Sequence, residues 1–159
     1  MSELLGAFER IVRGAPAPQL RDLAEPPDQH PFETRNIHPD LPARVRKLFD
    51  DGYLPESVLT AFKYLEAEVK RMSKLRGKTG VPLVSHVFGS TPPMIALNAG
   101  LTDSDLDEQR GYRDLFAGAV AGIRNPRGHD VYVPDTPDEA LDYLGLASLL
   151  LRKLDAAGR

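Results

Sequence analysis

Four side chains that can bind or move charge fall within six residues of one another in the stretch IRNPRGHD, Ile123 to Asp130. His129 can give or take a proton near neutral pH. Arg124 presents a permanent planar cation matched to a phosphate, or to the charge that develops on one in a transition state. Asn125 can orient either group, and Arg127 adds a second cation. This is equipment for cleaving RNA without metal. A 2′-hydroxyl attacks the adjacent phosphorus, the cation stabilises the developing charge, and a His moves the proton. The reaction needs both a base and an acid, and the stretch holds one His. A symmetric dimer that brings two copies together would supply the other.

The same residues suit a plainer role. Arg124 would be a cation at a helix C-terminus, Asn125 and Gly128 turn residues, Pro126 the stop and His129 part of a loop.

Other chemistry-like patterns are weaker. DSDLDEQRGYRD, Asp103 to Asp114, imitates a calcium loop with Asp at its first, third and fifth positions. Its sixth position, where such a loop turns on Gly, is Glu108, and its twelfth is Asp114 instead of Glu. An acidic first helical turn, favoured by the macrodipole, explains it better. GKT, Gly77 to Thr79, resembles the end of a phosphate-binding loop, but the leading Gly of that motif would fall on Met72. His30 and His38 are poorly spaced for shared metal ligation. His86 lies among apolar residues and is expected to be a packed, hydrogen-bonded imidazole. The sequence therefore calls for no metal and no cofactor.

The elements that must position Arg124 and His129 are helices. The stretch from about Ser104 to Arg124 reads as one long helix with a core stripe of Tyr112, Phe116, Ala119, Val120 and Ile123. Thr136, Pro137 and Glu139 give an N-cap, a Pro at the first helical position and the Glu of a capping box for the next helix. Its stripe is Leu144, Ala147, Leu151 and Leu154, widened by Leu146, Leu149 and Leu150. Earlier, Leu41 to Phe49 makes a short helix stopped by Asp50 to Gly52. A longer helix starts near Pro55, with Val58, Phe62, Leu65, Val69 and Met72 inward, Glu66 and Lys70 as an outward i,i+4 pair, and a stop at Gly77. Short helical turns are expected at Leu83–Phe88 and Pro93–Leu97. No segment alternates with period two, so the fold class is all-α: a bundle of four to five main helices.

Ahead of the bundle, Leu4, Leu5, Phe8, Ile11 and Val12 predict an amphipathic helix over residues 1–13. Seven of the fourteen prolines fall between Gly14 and Pro42, which predicts an extended connector over 14–40 before a helical domain at 41–159. Within the long helix, Ala117, Gly118, Ala121 and Gly122 form a small-residue surface. Two glycines inside a helix each cost about 1 kcal/mol relative to Ala, an expense that close approach of another helix, from this chain or a second copy, would offset. Arg110, Arg113, Arg124 and Arg127 make this the most cationic part of the later chain.

The bulk composition sets outer limits. The 159 residues fit one domain with a sizeable core, and 42% hydrophobic with 27% charged residues is ordinary for a globular protein. A net charge of −3 offers no global attraction for nucleic acid, so any such contact must be concentrated locally. The absence of cysteine excludes disulfides, thiolate metal sites and cysteine nucleophiles. No apolar run of about eighteen residues and no signal-peptide pattern is present. A cytoplasmic protein with no membrane partner is expected.

Arg124-Asn125-x-x-x-His129 resembles the R-x4–6-H signature of the HEPN superfamily, whose second residue is commonly polar. The longer run DEQRGYRDLFAGAVAGIRNPRGH, Asp107 to His129, resembles the Ymh-type branch of that superfamily. So do Asn36 to Lys70 and Asp135 to Asp155, in the same order along the chain. The resemblance implies a compact helical bundle that dimerises with its two signatures facing each other. It implies metal-independent endoribonuclease activity, often in toxins or antiviral abortive-infection effectors, with an antitoxin or regulatory protein as a further partner. Arg124 and His129 match the catalytic pair and Asn125 the polar residue. Arg127, Arg113 and Arg110 are then expected to contact RNA. Two residues after the His, where some members carry a modifiable Tyr, this chain has Val131. Some HEPN proteins are not nucleases, and a non-catalytic module binding a nucleotide or a protein partner is the alternative expectation.

Overall fold

The structure, a computed structural model, describes residues 29–129 and 134–159. The chain divides into two compact units, Met1–His30 and Pro31–Arg159. The expected helix at 1–13 and the connector as far as residue 28 lie outside the described residues.

The second unit is all-α, with no strand among the described residues. Its α-helices are α1 (Pro31–Thr34), α2 (Ala43–Asp50), α3 (Leu54–Ser73), α4 (Gly80–Gly89), α5 (Asp103–Ala119), α6 (Asn125–His129) and α7 (Pro137–Ala156). A π-helical segment, Val120–Arg124, joins α5 to α6. No helix among the described residues is long and apolar enough to cross a membrane.

Helix α3 is the hub: α2, α4, α7, the π segment and α6 all pack against it. Its inward residues Val58, Ala61, Phe62, Leu65 and Val69 are essentially solvent-free. Helix α7 answers with Leu144, Ala147, Leu151 and Leu154, each fully buried, as its 3.6-residue stripe predicts. Helix α4 joins α5 through stacked rings, Phe88 on Phe116, with centroids 4.5 Å apart. Both long later helices start on capping boxes, Thr102 with Asp105 and Thr136 with Glu139. The calcium-loop look-alike is therefore a capped helix start, and Asp105 is occupied by the amides of Leu101 and Thr102.

Several local expectations are revised. The bundle begins ten residues before residue 41, at Pro31, because Ile37, His38 and Leu41 are buried in it. The His38 amide donates to Ser148 Oγ at 2.9 Å, and its Nε2 meets Asp155 Oδ2 at 2.7 Å. These contacts tie the chain before α2 to α7. His86 is exposed, not packed, because its helix turns the neighbouring Leu83, Val84, Val87 and Phe88 inward instead. The turn expected at Pro93–Leu97 is non-helical, and Leu97 and Ile95 are held there by Gln109. Helix α3 stops at Ser73, before Gly77, on Lys74 in the left-handed region (φ 54°).

Candidate functional site

Pro126 does not end the long helix. The backbone continues through the π segment into α6 and on to His129. The physical reason is local. Proline at 126 has no amide to donate, and in a regular α-helix its ring would press on the carbonyl four residues back. One wide rung relieves this: the Asn125 amide donates to the carbonyl of Val120, five residues back. Such π-turns cost regularity and recur at functional positions. Here the wide rung is the one that Arg124 and Asn125 close.

Arg124 closes the π segment and its side chain is 22% exposed. Its Nη1 donates to Asn125 Oδ1 at 3.2 Å. Gly128, one turn on, leaves its α-carbon hydrogen facing Nη1, so a Cβ built there would lie 3.8 Å from that nitrogen. On the inner side the Arg124 Nε lies 3.5 Å from Oε2 of Glu66, a residue of α3. Glu66 is 5% exposed, which corrects the expectation that its pair with Lys70 stands on the wet side. The pair itself forms, with Lys70 Nζ 3.1 Å from Oε1. The amide of Gly80, at the start of α4, donates to the same oxygen at 3.1 Å. Burial alone would raise the Glu66 carboxyl; the Gly80 amide, Lys70 and Arg124 outweigh it and hold the group below the ordinary carboxylate range. Glu66 is thus a carboxylate shared by three elements.

The signal for this residue was present in the sequence. Glu66 is four residues after Phe62 and three before Val69, so it belongs to the core face of α3 and not the outer one.

His129 ends α6, is exposed, and engages none of the described side chains. Five positions along an ideal α-helix separate directions by about 140°. Accordingly the two side chains leave the helix in different directions, Arg124 toward Glu66 of α3 and His129 toward solvent.

The other cations are placed differently. Arg127 was expected to contact RNA, but its side chain is 4% exposed. Its Nε donates to Asp135 Oδ2 at 2.8 Å, its Nη2 donates to Asp135 Oδ1, its Nη1 donates to the Ile123 carbonyl at 3.1 Å, and its plane lies over the Tyr143 ring. With all three nitrogens engaged, Arg127 is a clamp between α6 and the start of α7. Arg110 and Arg113 are open to solvent on one side, each with an acidic neighbour, Asp107 at 3.5 Å and Asp114 at 2.8 Å. They rim a cleft of about 550 Å³ between the loop after α4 and the first half of α5, where the Arg113 stem lies over Gly89. Gly80 and Gly89 mark opposite ends of α4, about 14 Å apart at 1.5 Å per residue. Arg124 is therefore at one end of α4 and the Arg110–Arg113 pair at the other.

Of the small-residue surface, Ala117 packs against the core while Gly118, Ala121 and Gly122 are exposed. A Cβ built at Gly118 or Gly122 meets nothing within 4 Å, so none of the described helices approaches there. Beside it, an open groove of about 430 Å³ runs between α5 and α7, lined by Gly111, Leu115, Gly118, Ile123 and Leu146. Leu115 and Leu149 stand about half exposed nearby. Among the described residues no three His, Asp or Glu side chains gather as metal ligands.

These features define an all-α protein whose polar cluster sits at the far end of one long, π-interrupted helix. Residues 35–154 match the family described as "Protein of unknown function (Hypoth_ymh)", and the chain belongs to that family. Comparisons with curated proteins and with solved structures returned no match.

Proposed function

We propose that this protein is a homodimeric endoribonuclease of the HEPN type, acting without metal at a site composed from two copies. The observation that carries the reading is the arrangement of the signature. Arg124, its side chain 22% exposed, is braced from behind by Glu66 and donates to Asn125, and His129 is exposed at the end of the same helix with no hydrogen bond or ion pair to a described side chain.

In the proposed reaction the 2′-oxygen attacks phosphorus and the bond to the 5′-oxygen breaks. One His129 takes the proton from the 2′-hydroxyl, and the His129 of the second copy gives one to the departing 5′-oxygen. Arg124 stabilises the charge on the phosphoryl oxygens. The products are a 2′,3′-cyclic phosphate and a 5′-hydroxyl. The second copy supplies the acid that one chain lacks, and the open glycine face of α5, which leads along the helix to Arg124, is the surface through which it would pack. Arg110 and Arg113 extend the cationic surface for RNA. Arg127, engaged with Asp135 and Tyr143, is not assigned that role. In a cell such an activity suits a toxin or an antiviral abortive-infection effector held in check by an antitoxin or regulatory protein.

A second reading is favoured by one observation: an arginine paired to a buried carboxylate is also what a purely structural residue does. The protein would then be a non-catalytic helical module binding a nucleotide or a protein. Incubation of wild type, Arg124→Ala and His129→Ala with mixed RNA in EDTA separates the two. The nuclease reading expects fragments with 2′,3′-cyclic phosphate ends from wild type alone, with fold and dimer intact in both variants. Cleavage that survives His129→Ala, or that requires a divalent metal, would sink it.

A further inference from the structure

The Glu66 carboxylate is more than packing demands. Its neighbours on the inner face of α3, Phe62 and Val69, are apolar, and an apolar side chain at 66 would fill space without the cost of burying a charge. Holding the first amide of α4 accounts for one oxygen: Gly80 and Lys70 both address Oε1. The second oxygen has a different outlook. Oε2 is buried, makes no hydrogen bond, and faces the Arg124 Nε, which is also buried and also makes none. Two orphaned charged atoms 3.5 Å apart, each with only the other to face, mark a pair held for a reason other than α4.

We infer that Glu66 is a positioning residue for Arg124, holding the Nε edge of the guanidinium from inside so that its Nη edge is presented outward beside Asn125. The inference rests on the proposal that Arg124 meets a phosphate. The charges support it. One carboxylate lies between two cations, Lys70 and Arg124, so the cluster keeps a net positive charge and Arg124 is oriented without being neutralised. The shape supports it too. With Nε turned to Glu66 and Nη1 to Asn125, the guanidinium plane is defined at two of its three nitrogens, and a fixed planar fork is what two-point phosphate recognition uses.

Glu66→Gln tests this selectively. Its amide oxygen can still accept from Gly80 while the amide nitrogen turns to Arg124, so that Nε no longer faces a charged oxygen. The readout is hydrogen exchange at the Arg124 Nε–H in the full chain, labelled with 15N-arginine, the signal being assigned by its loss in Arg124→Lys. We expect exchange at least tenfold faster in Glu66→Gln, with helix content unchanged. Lys70→Met, which removes the competing cation from Glu66, should slow exchange, and this second variant keeps the test alive if Glu66→Gln does not fold. On RNA, kcat of Glu66→Gln should fall at least tenfold. A Glu66 that merely caps α4 would alter the melting temperature and leave Arg124 exchange where it was, which would overturn the inference. So would an unchanged kcat in Glu66→Gln. Exchange does not depend on catalysis, so an inert wild type would count against the proposed reaction while the exchange result still decides Glu66.

Discussion

Arg127 and Asp135 meet in a two-point ion pair whose side chains are only 4% and 3% exposed, with Tyr143 beneath the guanidinium. The pair joins α6, which carries His129, to the start of α7, and so connects the two ends of the segment between those helices. Removing one member of a buried pair leaves an uncompensated charge, which typically costs about 3–5 kcal/mol. Arg127→Ala and Asp135→Ala should each lower the unfolding free energy by about that amount in urea titrations. The double variant should lose clearly less than the sum of the two. Additive losses, or single losses under about 1 kcal/mol, would show that the clamp does not hold α6.

The acid side of the stability profile should carry the signature of Glu66. Its carboxyl is held low by Gly80, Lys70 and Arg124 against the opposing effect of burial. Asp155 is likewise held low by Arg159 and His38 against burial, and Glu108 by Lys153 and Asn98. A folded-state value below the unfolded one means that the unfolded chain binds more protons. The stabilisation is thus complete above the unfolded carboxylate range, about pH 4–4.5, and is lost as pH falls through the folded values. Urea midpoints should therefore drop between about pH 5 and pH 3, and the drop should be shallower in Glu66→Gln. An identical slope in the variant would mean that Glu66 takes up no proton on unfolding.

The glycine face of α5 makes a prediction whose sign separates two cases. Nothing lies within 4 Å of a Cβ at Gly118 in the single chain, so Gly118→Ala should stabilise an isolated helix by up to about 1 kcal/mol. If a second copy packs on this face, added volume there should weaken the dimer. Gly118→Leu should then raise the dissociation constant in sedimentation equilibrium at least tenfold while the monomer keeps its helix content. A dimer untouched by Gly118→Leu would place the contact elsewhere.

Much of this architecture is local in origin. Thr102 and Thr136 cap their helices because the side-chain oxygen reaches an amide three residues on, a relationship contained in four consecutive letters. The α7 stripe and the inner residues of α3 follow from a 3.6-residue period that does not depend on what they pack against. The contact between Arg124 and Asn125 is equally local, because they are neighbours in the chain.

What each charge does was decided by partners that arrive from far along the sequence. Glu66 is buried because α4 brings the Gly80 amide and the π segment brings Arg124 to one carboxylate. Arg127, one of four arginines that look alike in sequence, is withdrawn from solvent because α7 delivers Asp135 and Tyr143, while Arg110 and Arg113 find only flanking acids. Period and capping are properties of a few adjacent residues and are written in them. Burial of a charge is a balance between desolvation and the partners that offset it, and those partners are gathered only when the helices pack.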